Sequence, residues 1–193
     1  MGNAITYKSQ IRKESDEFSS LLGMIILLAS LSILFIALLA SYSVLRVRSV
    51  NWASKSMSDY SIILSWINTL MIVSSSFIYF KVKKTFMEYG DTSIKWLNLS
   101  IFSGLLFLGM QLALWLSLFQ EGFTIHSHQA GSVFYMLSGL HGLHITIGLL
   151  ALLWLKKKIV NREGPILKIK LVGMFWHFLT IIWLVIFFSV IIF

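Results

Sequence analysis

The sequence has no cysteine, which excludes disulfides and thiolate metal centres while leaving the redox compartment open. Charge is scarce as well: aspartate, glutamate, lysine and arginine make up 12% of 193 residues, against 57% hydrophobic residues. A soluble domain of this length carries about a quarter of its residues as charge. The single proline, Pro165, lies in a short segment between two apolar runs. All eight acidic residues, Glu14, Asp16, Glu17, Asp59, Glu88, Asp91, Glu121 and Glu163, fall outside the apolar cores. A proton relay or a self-sufficient cation transporter usually needs carboxylates at membrane depth. The glycine- or proline-broken helices that build transporter sites are not evident either. A stand-alone pump is therefore disfavoured.

What is present is apolar sequence in long runs. Five of them, approximately 21–45, 61–80, 96–119, 131–155 and 171–193, are long enough to cross a hydrocarbon core, which takes about 20 helical residues. Barrel strands would alternate in polarity, so the fold class expected is an all-α membrane protein, a bundle of five transmembrane helices. Asn68, Thr69 and Ser74–Ser76 interrupt the second run; small polar groups of this kind suit a helix packed against other helices.

The loops predict orientation. Lys8, Arg12 and Lys13 precede the first run; Lys81, Lys83, Lys84 and Lys95 follow the second; Lys156, Lys157, Lys158, Arg162, Lys168 and Lys170 follow the fourth. Of the 16 basic residues only Arg46, Arg48 and Lys55 fall on the other side. The positive-inside rule then places the N-terminus in the cytoplasm and the C-terminus outside. The same asymmetry accounts for the net charge of +8, and no nucleic-acid partner is expected. The first 20 residues mix both signs of charge, unlike the basic start of a signal peptide, so the first span is read as retained. The expected organisation is a polar cytoplasmic tail, 1–20, and one five-helix domain, 21–193, with no soluble domain and no internal repeat. Lys156–Lys158 close the fourth span and are the candidate contact for anionic lipid head groups.

The candidate chemistry rests on histidines. His141 and His144, in GLHGLH, share one helical face at a spacing of three, with Gly148 a turn further along. His177, between Trp176 and Phe178 on the next run, could approach them. Such imidazoles can bind zinc or copper, and histidines paired across helices can ligate haem. However, the spacing matches no metal motif, and no acid or thiolate accompanies it. Hydrogen-bonded packing is the favoured reading. Ser138, Gly142 and Thr146 add a small-residue stripe on the same helix, bordered by the histidines, where a second helix can approach closely. His126 and His128 are read as solvated in an outside loop.

Several segments together resemble subunit III of the haem–copper respiratory oxidases. GSVFYMLSGLHGLHITIG at 131–148 is similar to that family's G-S-x-F-F-x-x-T-G-F-H-G-L-H-V-x-x-G helix, and FWHFLTIIWLVIF at 175–187 to its W-H-F-V-D-x-V-W-L-F-L ending. Residues 22–46 resemble its opening helix, INTLMIVSSSFIYF at 67–80 its L-N-T segment, and LGMQLALW at 108–115 its L-x-x-Q-x-x-E-[YW]. The matches are colinear from Leu22 to the C-terminus.

The resemblance implies the five-helix bacterial form in the inner membrane. This would be a non-catalytic subunit of a terminal oxidase that stabilises the catalytic subunit and holds phospholipid. Subunit I would be its main contact, with subunit II and further subunits nearby. Haem and copper belong to partner subunits, and no catalytic, cofactor or metal residue is expected here. Gln111, His141, Gly142, His144, Trp176 and His177 carry the family motif as packing residues. The alternatives are an accessory subunit of a nitric oxide reductase or a stand-alone b-type haem protein.

The departures from the family pattern concern acids. Where the family has its membrane Glu after Ser, this chain has Leu31 after Ser30; the Glu of Q-x-x-E is Leu114; the Asp of W-H-F-V-D is Thr180; and a Glu upstream of W-H-F aligns near Lys170. Their joint loss argues against any role that needs those carboxylates.

Overall fold

The computed structural model describes residues 2–48, 58–89, 93–121, 129–161 and 166–192, and side chains within 14–47, 58–88, 93–121, 132–161 and 166–190. The side chains of Lys8, Arg12, Lys13 and Arg48 lie outside the described residues, as do Lys55, Asp91, His126, His128, Arg162, Glu163 and Pro165.

Five helices account for the fold: α1 Gly2–Arg48, α2 Asp59–Tyr89, α3 Ser93–Gln120, α4 Gln129–Val160 and α5 Ile166–Ile186, the last continuing as a π-helical turn over Phe187–Ile192. Each contains a stretch long and apolar enough to cross a membrane, and no strand occurs among the described residues. α1 spans 47 residues, about 70 Å at ~1.5 Å per residue. Helical rise alone carries it well past a hydrocarbon core of about 30 Å.

Local sequence explains the boundaries. Ser58 caps α2: its Oγ accepts the backbone N–H of Ser61 at 3.3 Å, three residues into the helix, which satisfies one of the donors a helix start leaves open. Asp59 adds a negative charge to the same first turn, and Lys157 and Lys158 add positive charge to the last turn of α4. Both placements complement the helix dipole.

α2 and α3 form a tight hairpin; α5 packs against α2 and α4, and α1 lies chiefly on α4 and α5. The main core joins Ile72, Phe107, Ile145, Leu152, Trp176 and Trp183, all at 0% exposure. α5 sits most deeply, with 56% of its membrane window buried within the chain, whereas α1 buries only 6%.

Close helix approach does not occur where the small-residue stripe suggested. A Cβ on Gly142 would meet nothing within 4 Å among the described residues. Thr146 is exposed and returns its hydroxyl to Gly142 O at 2.9 Å, and of the stripe only Ser138 is buried. The tight positions are Gly104, Gly148 and Gly173, the last with a Cβ that would lie 2.6 Å from Tyr79 Cε1. A Cβ on Gly104 would lie 2.9 Å from the Trp176 ring, and one on Gly148 3.0 Å from it. Spacing on α4 alone could not show this, because the approach depends on which face α5 covers.

Candidate functional site

The three membrane histidines do not come together. His141 on α4 is fully buried, with ring centroids 5.2 Å from Trp183, 6.1 Å from Phe107 and 6.3 Å from Phe35. His144 stands one turn along at 5.6 Å from Phe35, and its Nδ1 donates to Leu140 O at 2.7 Å. A carbonyl only accepts, so this nitrogen carries the proton. His177 faces α2 instead: its Nδ1 pairs with Ser76 Oγ at 2.6 Å, and its ring stacks on Phe80 at 4.1 Å. The arrangement does not fit a haem or copper centre built from this chain. Among the described residues no group of three or more His, Asp or Glu is placed to hold a metal ion.

What the polar residues build is a chain of neutral pairs between helices. Ser75 Oγ donates to Ser100 O at 2.8 Å, Ser100 Oγ donates to Ser75 O at 3.1 Å, and the Trp176 indole reaches Ser75 Oγ at 3.3 Å. Tyr79 donates to Ile169 O at 2.8 Å and Trp183 to Thr69 Oγ1 at 3.1 Å, which ties α2 to α5. Trp115 donates to Ser138 Oγ at 3.2 Å between α3 and α4. Asn68 Nδ2 donates to Gln111 Oε1 at 2.8 Å, which places the motif glutamine in an α2–α3 contact. Of the polar residues that interrupt the second apolar run, Asn68, Thr69, Ser75 and Ser76 are therefore docking groups, whereas Ser74 is exposed and bonds Leu70 O of its own helix at 2.7 Å.

Not every polar atom is paired. Asn68 Oδ1, Gln111 Nε2 and both ring nitrogens of His141 are buried without a hydrogen-bond partner among the described residues. An orphaned buried group of this kind costs about 1–3 kcal/mol.

At the positions where the family pattern has acids, the surroundings are apolar or already satisfied. Leu31 packs half-buried on the main core. Leu114 is fully buried with Leu118 and Phe134. Thr180 is buried and donates to Trp176 O at 3.2 Å. Lys170 is exposed.

Two features lie at the helix ends. At the α3 terminus Glu121 accepts from Ser58 Oγ at 2.6 Å, Ser61 Oγ at 2.7 Å and Ser117 Oγ at 3.3 Å, so it clips the start of α2 to the end of α3. Burial pushes this carboxyl up, but the hydrogen bonds from Ser58, Ser61 and Ser117 outweigh it and hold the group below its ordinary range. At the end of α4, Lys156 and Lys157 border a shallow groove of about 690 Å³ lined also by Leu150, Leu153, Trp154 and Val160. The ammonium groups of Lys158 and Lys168 sit 5.8 Å and 5.7 Å from the Trp154 ring, a favourable cation–π arrangement.

The sequence reading missed the Glu121 clip and the indole donors Trp115 and Trp183. The signal for the clip, a serine pair before one span and a lone acid after the next, has meaning only once α2 and α3 are known to be neighbours.

Five apolar helices joined by neutral polar pairs define a multi-pass membrane protein of the helix-bundle class. The family model for cytochrome c oxidase subunit III matches residues 18–193. The chain is 29% identical over 179 residues to cytochrome c oxidase subunit 3 of Thermostichus vulcanus, covering 86% of this chain and 83% of the relative. It is 29% identical over 176 residues to cytochrome c oxidase subunit 3 of Bacillus subtilis, covering 86% and 82%. It is also 29% identical over 160 residues to the cytochrome bo(3) ubiquinol oxidase subunit 3 of Pseudomonas aeruginosa, covering 80% and 76%.

The chain belongs to the cytochrome c oxidase subunit III family. Its role is that of the non-catalytic subunit III of a haem–copper oxidase, in association with other oxidase subunits. The nitric oxide reductase and stand-alone haem readings are not favoured.

Proposed function

We propose that this chain is the five-helix subunit III of a bacterial aerobic oxidase, one domain from residue 21 onward with its N-terminus in the cytoplasm. In this reading it packs in the plasma membrane mainly against subunit I, with subunit II nearby, as a scaffold that holds lipid and carries no protons. The observation that supports the scaffold role is the neutral interior: leucine at 31 and 114 and a self-satisfied threonine at 180 stand where the family pattern has carboxylates. A carboxylate in mid-membrane costs about 2.5–3.5 kcal/mol, and this chain avoids that cost at every one of those positions. The relatives named above include oxidases of cytochrome c and of ubiquinol, so the electron donor follows from the partner subunits.

The lipid reading rests on the α4 groove, where Lys156 and Lys157 flank apolar wall residues beside Trp154. An anionic head group would meet the lysines while its acyl chains follow Leu150 and Leu153. The family-motif residues Gln111, His141, His144, Trp176 and His177 serve packing in this account.

Proton uptake by the purified complex, measured with and without this chain, tests the scaffold role. Uptake per turnover should stay near the intact rate while the lifetime of the complex under turnover shortens. A large and specific loss of uptake rate would refute it.

A further inference from the structure

Side chains from three helices leave hydrogen-bonding capacity unused inside the bundle. The single bond between Asn68 and Gln111 leaves an acceptor on one amide and a donor on the other, and His141 has neither nitrogen bonded among the described residues. Reorienting the two amides does not remove their deficit. Flipping both amides only moves the orphan acceptor to Gln111 and the orphan donor to Asn68. Flipping one sets oxygen against oxygen or nitrogen against nitrogen.

Neighbouring hydroxyl protons are already committed: Ser65 to Ser61 O, Thr69 to Ser65 O, Ser138 to Phe134 O and Thr180 to Trp176 O. One turn away along α3, Gln111 has only Phe107, Leu108, Leu114 and Trp115, the last with its N–H on Ser138.

Shared neighbours place the three side chains in one layer. Phe107, a turn from Gln111 and likewise buried, meets the His141 ring edge-on at 6.1 Å. Trp183, 5.2 Å from that ring, donates to Thr69, which follows Asn68 in the chain. The layer is closed, with Asn68 and His141 at 0% exposure and Gln111 at 2%. Its occupant must therefore be small. It must also be neutral, because an isolated buried ion needs an opposite charge and the acids all lie outside the apolar cores.

We propose that this layer is a binding site for internal water, held between the Asn68–Gln111 amide pair and the His141 imidazole. The orphaned set offers two acceptors, Asn68 Oδ1 and one ring nitrogen, and two kinds of donor, Gln111 Nε2–H and the other ring N–H. Water supplies the complement of both, and buried waters typically make about three such bonds. The site does not depend on the scaffold reading, because it follows from the unpaired atoms alone.

The direct test is a map of the intact oxidase complex at a resolution of about 2 Å, where a bound water should appear as a peak ~2.7–3.2 Å from an amide atom of the pair and from an imidazole nitrogen. A map of that quality with no peak in the layer overturns the proposal. Variants of the complex give a second reading. Gln111→Leu alone strands Asn68 and lowers the thermal midpoint, whereas Asn68→Leu with Gln111→Leu removes the amide pair, abolishes the peak and recovers most of the midpoint. Losses that simply add in the double variant, with the peak retained, argue against the site. If the double variant fails to assemble, the map of the native complex decides alone.

Discussion

Trp176 lies between Gly104 and Gly148, and those two positions set how closely α3 and α4 approach α5. A Cβ at either would crowd the indole at about its contact limit, as near as 2.9 Å at Gly104. Gly148→Leu should therefore destabilise the subunit by about 1–3 kcal/mol or more through overpacking. Gly142→Leu should leave the fold of the chain intact, because its Cβ meets only open space. Thermal unfolding of the detergent-solubilised complex, followed through release of this subunit, separates the two. Equal losses would mean that Gly142 faces a partner as closely as Gly148 faces Trp176. At position 180 a hydroxyl bonded to the backbone replaces an acid of the family pattern. Thr180→Asp should lower the yield of membrane-inserted subunit, since the charge adds about 2.5–3.5 kcal/mol to insertion. Thr180→Val should change it little, and quantitative immunoblotting of membranes checks both. The histidines were legible as a motif, but of the hydrogen-bonded packing expected of them only His177 pairs with another helix, while His144 bonds its own helix and His141 bonds nothing among the described residues. That His177 turns to α2 while His141 faces Phe35, Phe107 and Trp183 was not legible, because spacing along one helix says nothing about its neighbours.

The α2–α3 hairpin is held by the Ser75–Ser100 exchange inside the membrane and by the Glu121 clip at its end. Hydrogen bonds between membrane helices contribute about 0.6 kcal/mol on average and up to ~1.7. Ser75→Ala breaks the exchange and frees the Trp176 indole, so it should cost about 1–2 kcal/mol in the same unfolding assay. The clip predicts a pH dependence. The Glu121 carboxyl is held below its ordinary value near 4.5 in the fold. Its contribution is therefore fully present above that value and is lost as pH falls through the lower folded value. Glu121→Gln should flatten the acid limb of the stability profile by lowering stability at neutral pH toward its acid-side value. An acid limb identical in the variant would show that the clip contributes nothing. The interrupted second run was legible as an element that packs on other helices, since serine and asparagine at depth need partners. Which partners they take followed only from the hairpin register.

Across the whole molecule the burial is uneven: α5 is enclosed, while α1 buries 6% of its membrane window within the chain. A helix that contributes so little to the internal core leaves most of its apolar surface to lipid or to other subunits, as suits one chain of a larger oxidase. Five spans, their helical state and the absence of acids from them follow from the sequence alone, because a bilayer admits few structures and a run of about 20 apolar residues has little choice but helix. Even the family was legible from colinear motifs. The tertiary structure decided what no single run contains: that Trp176 rather than Gly142 marks a close approach, that the serines of α2 and α3 exchange hydrogen bonds, and that Asn68, Gln111 and His141 are buried with atoms unpaired among the described residues. The physical reason is one of range. Insertion is determined run by run through transfer from water to lipid, whereas pairing and orphaning depend on which faces of separate helices meet.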